Sequence, residues 1–223
     1  MRRATAHWQL ILITVLIAVF WSSPWLFSLK ILVVFFHEFS HAIATVLTGG
    51  HVEEFVVNPN QGGHVLARGG NAFIIASSGY LGSLLWGILL FAIAVRTRYD
   101  RATVALIGVI MVLVVLFWLR SSFAISFTLA TGTALLALSR FAPRTVCDFT
   151  LRIIGVASMI YVPLDIWDDT ITRSGEMSDA RILAENFGGP TLFWGGLWLI
   201  ISMIIILATL RYGLRSNSNL TLK

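Results

Sequence analysis

From Trp25 to Leu47 the chain is almost wholly apolar, a stretch long enough to cross a bilayer as a helix. In its middle stand His37-Glu38-Phe39-Ser40-His41, an H-E-x-x-H pattern. Ionisable groups in hydrocarbon each cost several kcal/mol, roughly, unless they are partnered. Two histidines and a glutamate at that depth must therefore face the inside of a helix bundle, around a metal ion.

Composition agrees about the surroundings. Hydrophobic residues make up 57% of the 223 residues, charged residues 12%, and mean hydropathy is +0.84. This is far from soluble averages and leaves no room for a sizeable soluble domain, so residues 1–223 read as a single integral-membrane domain. The net charge of +5 is scattered in ones and twos, which suits anionic lipid headgroups rather than nucleic acid. With Cys147 as the only cysteine, neither an internal disulfide nor a cysteine-built zinc site is available. Trp21-Ser22-Ser23-Pro24-Trp25 is a poor cleavage site, so the first apolar run reads as a retained span.

Apolar runs separated by turn residues and charges predict spans at about Trp8–Trp21, Trp25–Leu47, Ala72–Val95, Ala102–Leu119, Phe123–Leu138, Phe149–Leu164 and Thr191–Leu210. The expected fold is an all-α polytopic membrane protein of six to seven transmembrane helices, seven being the better count. Residues 51–70 interrupt the pattern: Val52–Val57 and His64–Arg68 are strand-like and Asn58–Gly63 is turn chemistry, a β-hairpin directly after the histidine helix. Residues 165–190 form a long polar segment, acidic and then Gly-rich. Arg2 and Arg3 favour a cytoplasmic N-terminus. With seven spans that choice places Arg96, Arg98, Arg101, Arg140, Arg144, Arg211 and Arg215 outside, against the positive-inside rule.

On a helix His37 and His41 share one face about a turn apart, so both imidazoles can reach one zinc ion. Glu38, next to His37, can reach a water on that ion and act as the catalytic base. Zinc so held supplies a Lewis acid and brings the pKa of its water to about 7. A hydrolytic site needs a third protein ligand. The expected one is Asp165, first carboxylate after the sixth apolar run, with Asp168 and Asp169 as its competitors and His51 and His64 in the hairpin as lesser options. His7 is expected to be solvated. Small residues at Ser78, Gly79, Gly82, Ser83 and Gly87 are expected to let the third span pack closely on the histidine helix, and Gly195-Gly196 invite the same reading.

Taken in order, His37-Glu38-Phe39-Ser40-His41-Ala42, Thr48-Gly49-Gly50-His51-Val52-Glu53, Asn58-Pro59-Asn60-Gln61-Gly62-Gly63, Arg68-Gly69-Gly70 and Ser78-Gly79-Tyr80-Leu81-Gly82-Ser83 form a recognisable series. It ends with Asp165-Ile166-Trp167-Asp168-Asp169, Ser178-Asp179-Ala180 and Phe187-Gly188-Gly189-Pro190. In this it resembles the intramembrane zinc metallopeptidases of the site-2 protease type, and more closely their compact B-like branch, over almost the whole chain. The resemblance implies zinc on His37 and His41, Glu38 as base, an aspartate from a later span as third ligand, and a hairpin that presents an unwound substrate. One departure is visible. The larger family carries an asparagine-and-proline segment before Leu-Asp-Gly. Here Pro163-Leu164-Asp165 is followed by Ile166, with no asparagine just upstream, so no side-chain amide is at hand for an oxyanion.

The expected activity is zinc-dependent intramembrane endoproteolysis of a membrane-protein segment. The alternatives are a metal-binding membrane scaffold or chaperone without turnover and, less well supported, a metal or ion transporter. The latter wants polar residues along several spans, whereas the first, fourth and fifth runs hold few besides Ser and Thr.

Overall fold

The computed structural model describes residues 6–213 and 218–219. Helix α1 (Trp8–Val19) is followed by the breakers Ser22, Ser23 and Pro24. The Ser23 hydroxyl accepts the Trp25 N–H at 3.3 Å and starts a tight turn, Pro24–Leu26, that leads into α2 (Phe27–Leu47). Gly49, at φ +83°, ends that helix in the left-handed region. The hairpin follows as β1 (His51–Val57) and β2 (Gly63–Arg68), then α3 (Ala72–Arg96), α4 (Asp100–Phe117), α5 (Ser122–Phe141) and α6 (Arg144–Trp167). Helix α6 runs straight on into a wider π-type turn, Asp168–Thr172. Short α7 (Asp179–Phe187) and α8 (Thr191–Gly213) complete the described chain. Side chains cap three of these starts, with Asn71, Ser121 and Ser178 accepting backbone N–H groups from Ile74, Ala124 and Arg181.

Among the described residues six helical segments are long and apolar enough to cross a membrane: Pro24–Leu47, Ala72–Arg96, Asp100–Phe117, Ser122–Phe141, Arg144–Thr172 and Thr191–Arg211. The chain is an integral multi-pass membrane protein. Of the two expected counts, six holds and seven does not. Helix α1 has only 12 residues, about 18 Å at 1.5 Å per residue, against a hydrocarbon core of about 30 Å. It lays Leu10, Ile13 and Ile17 into the bundle and leaves Ile11, Leu12, Val15 and Val19 exposed.

Helices α2, α3 and α6 are the most enclosed spans, while α5 and α8 lie at the rim. Two glycine crossings set the spacing. A Cβ on Gly87 of α3 would stand 2.9 Å from the Gly155 carbonyl of α6, and one on Gly155 would stand 2.8 Å from the Gly87 carbonyl. Gly108 and Gly132 bring α4 and α5 together in the same way. Small residues let backbones approach where lipid offers no hydrophobic drive. Away from the histidines, Arg144 Nε donates to the wholly buried Asp100 at 2.6 Å and joins the α3–α4 turn to the α5–α6 turn. His7 departs from its expected solvation: it is buried, its Nδ1 2.8 Å from the Ser218 hydroxyl.

The hairpin is antiparallel, with Phe55 opposite Val65, Val57 opposite Gly63, and a bulge between Val52 and Glu54. The Phe55 N–H bonds outward to the Trp118 carbonyl at 3.3 Å, so the far edge of β1 is held by the α4–α5 connection. Because Phe55 bonds away from β2, the Phe55–Val65 pair is of the non-hydrogen-bonded kind. The amide and carbonyl of Val65 therefore point away from β1, as do those of Gly63 two residues earlier.

Candidate metal centre

Helix α2 delivers His37, Glu38 and His41 on one buried face, with the two rings 4.9 Å apart. Their partner is Asp179. His37 Nε2 lies 3.2 Å from one of its oxygens, Oδ2, and His41 Nε2 lies 3.2 Å from the other, Oδ1. The two nitrogens and a carboxylate oxygen all fall within 4.8 Å of one another, and all three residues are buried. Asp179 opens α7, where the capping hydroxyl of Ser178 fixes the first turn. It is the member of the group outside the spans. Burial alone would raise its carboxyl, but the charges and contacts of His41 and His37 outweigh that and hold it below the usual carboxylate range.

The expected ligand Asp165 is close but on the other side of the ring. Its Oδ2 stands 3.7 Å from His37 Nδ1, whereas the nitrogen that faces Asp179 is Nε2. The reason is helical phase. Helix α6 continues past Asp165 into the π-type turn, which sends the next two carboxylates elsewhere. Asp169 accepts the Tyr80 hydroxyl at 2.7 Å and Arg173 at 3.1 Å, and Asp168 takes Arg173 Nε at 2.7 Å. His51, at the start of β1, is exposed, and His64 lines the cavity described below without joining the group. Asp179 was legible only as part of a motif, Ser178-Asp179-Ala180. Its signal was the serine cap of a short amphipathic helix, and nothing in its spacing tied it to the histidines.

Two observations test whether a cation fits. Asp179 Oδ2 and Glu38 Oε2 are buried with no hydrogen-bond partner, a costly condition unless something else satisfies them. And Gly79 of α3 leaves space where the three residues meet. A Cβ there would come 2.2 Å from Asp179 Oδ2, 2.4 Å from His37 Nε2 and 2.5 Å from His41 Nε2. Two imidazoles and a carboxylate around such a gap are the donor set that suits zinc, so these residues could hold it. Three residues further on, Gly82 serves packing, its absent Cβ making way for Ser40 at 2.3 Å. The expected packing role of this small-residue stripe is thus shared with space-making at the centre. Gly195 also packs closely, against Thr170.

The second-sphere contacts of the histidines differ. His41 Nδ1 is 2.7 Å from the Ile75 carbonyl, which fixes Nδ1 as the protonated nitrogen and leaves Nε2 free to ligate. His37 Nδ1 is buried with no hydrogen bond. Glu38 lies beneath the hairpin tip, for a Cβ on Gly63 would stand 2.7 Å from Glu38 Oε1. A cavity of about 720 Å³ opens over the group. Gly63, His64 and Val65 of β2 line it, together with Tyr161 of α6, Ser178 and Ile182.

Residues 10–209 match the family model described as Peptidase M50B-like. No curated protein and no solved structure matches.

Proposed function

Because the chain belongs to the M50B-like peptidase family, we propose that it is a zinc-dependent intramembrane endopeptidase that cuts peptide bonds in or near transmembrane segments of other membrane proteins. The observation that carries this reading is the gap at Gly79, ringed by His37 Nε2, His41 Nε2 and Asp179, with Glu38 alongside. His37, His41 and Asp179 would hold the ion. When bound, zinc supplies Lewis-acid polarisation and lowers the pKa of water. Glu38 takes a proton from the attacking water and returns it to the nitrogen of the leaving amine as the C–N bond breaks.

A transmembrane helix shields its carbonyls within its own hydrogen-bond ladder, so the substrate must be drawn out before it can be cut. The outer edge of β2 suits that task. The backbone groups of Gly63 and Val65 point away from β1, and both residues line the cavity that holds Glu38. An extended substrate segment laid along that edge as a third strand would satisfy its own backbone while its scissile bond rests beside the base.

The test is purified protein in proteoliposomes with transmembrane substrate proteins, metal content being measured alongside. We expect about one zinc per chain, as for a three-ligand site. Glu38→Gln should keep the metal and abolish cleavage, chelation should abolish cleavage reversibly, and His37→Ala and Asp179→Ala should lose the metal. Cleavage that survives Glu38→Gln, or protein without metal affinity, would refute the reading.

A further inference from the structure

The two histidines are supported unequally. His41 has the Ile75 carbonyl on Nδ1 at 2.7 Å, whereas His37 Nδ1 is buried and unpartnered. A histidine that ligates through Nε2 must carry its proton on Nδ1, and a buried N–H needs an acceptor. The carboxylate beside it is Asp165, whose Oδ2 is 3.7 Å away, somewhat beyond a hydrogen bond. Asp165 is itself held in place. Tyr161, one turn earlier on α6, hydrogen-bonds it, and the Tyr161 ring stands edge-on to His37 with centroids 6.1 Å apart. Tyr80 flanks the other side of the His37 ring at 5.6 Å, and its hydroxyl anchors Asp169.

We propose that Asp165 is a positioning residue: it accepts the Nδ1–H of His37, fixes that ring's tautomer and aim, and so completes on His37 what the Ile75 carbonyl does on His41. The assignment rests on the reading of His37, His41 and Asp179 as metal ligands. Closing 3.7 Å to hydrogen-bond length needs a shift of under an ångström, within reach of a side-chain rotation at the end of α6. Asp165 then acts through His37 and touches neither the ion nor the substrate.

The experiment is chelator-competition measurement of zinc affinity, with the absorption spectrum of the cobalt-loaded protein, for wild type, Asp165→Asn, Asp165→Ala, Asp179→Ala and His37→Ala. Loss of an outer-sphere partner of this kind weakens metal binding about 10- to 100-fold. Asp165→Ala should fall in that range. Asp165→Asn, nearly isosteric and still offering a carbonyl oxygen, should lie between it and wild type, with a cobalt spectrum shifted little from the wild-type one. Asp179→Ala and His37→Ala should lose measurable affinity. Wild-type affinity in both Asp165 variants would overturn the assignment, and so would a loss as complete as that of His37→Ala, which would make Asp165 a ligand. Failure of wild type to bind zinc at all would instead strike the metal reading itself.

Discussion

At the scale of single residues, the centre depends as much on an absent side chain as on those present. Gly79 and Gly82 sit one turn apart on α3, and the structure gives them different duties: one faces the ligand atoms, the other faces Ser40. Alanine at each position should separate the two. Gly79→Ala places its methyl among His37, His41 and Asp179, so bound zinc should drop to background while the folded protein stays monodisperse. Gly82→Ala forces α3 off α2 and should cost about 1–3 kcal/mol of stability, the usual penalty for overpacking, with zinc retained. Zinc content and thermal unfolding in detergent, read on both variants, check the pair. Equal zinc loss in the two would mean that Gly79 does no more than pack.

At the scale of elements, the hairpin and α7 matter more than their size suggests. β1 is tied to the rest of the fold by Phe55 and Trp118, which leaves β2 as the free edge over Glu38. Proline at Val65 would remove an N–H that points away from β1 and leave the hairpin's own ladder intact. One lost hydrogen bond of about 0.5–1.5 kcal/mol corresponds to roughly a 2- to 12-fold decrease. That decrease is expected in kcat/KM for a transmembrane substrate, with zinc content unchanged. An unaltered kcat/KM would argue that the substrate does not pair with this edge. Helix α7 carries Asp179 from outside the spans to a pair of histidines inside one. Arg181 holds its first turn, reaching Glu185 at 2.8 Å and the Gly175 carbonyl at 2.5 Å.

At the scale of the whole molecule, six spans remove the conflict that seven created. The start of α2 and the end of α8 then lie on one face, together with the α3–α4 and α5–α6 turns. That face gathers Arg96, Arg98, Arg101, Arg140, Arg144 and Arg211, and the sequence adds Arg215 shortly after α8. The opposite face, with the hairpin and α7, has only Arg120 in its short α4–α5 link, and Arg68, Arg173 and Arg181 spread over the two long connections. By the positive-inside rule this bias predicts that the arginine-rich face is cytoplasmic and that the candidate metal centre opens to the other side. Because Cys147 is buried, single introduced cysteines can report this. With a membrane-impermeant thiol reagent on intact cells, Asn60→Cys at the hairpin turn should label, and Tyr99→Cys should label only after the membrane is opened. The reverse pattern would invert the orientation.

Much of this protein was legible in order along the chain. Apolar runs, their breakers and an i, i+4 histidine pair are local patterns, and local patterns dictate spans, a hairpin and a two-histidine face whatever packs around them. The strand-like runs Val52–Val57 and His64–Arg68, with turn residues between them, needed no tertiary knowledge either. What only the assembled bundle decided was which carboxylate meets Nε2. Asp165 ends an apolar run and Asp179 opens a short helix within the polar segment after it, and the choice between them rests on helical phase at the α6 terminus and on the path of the chain back through α7. Gly79 tells the same story, since the space left by a missing methyl has meaning only once α2 and α7 surround it.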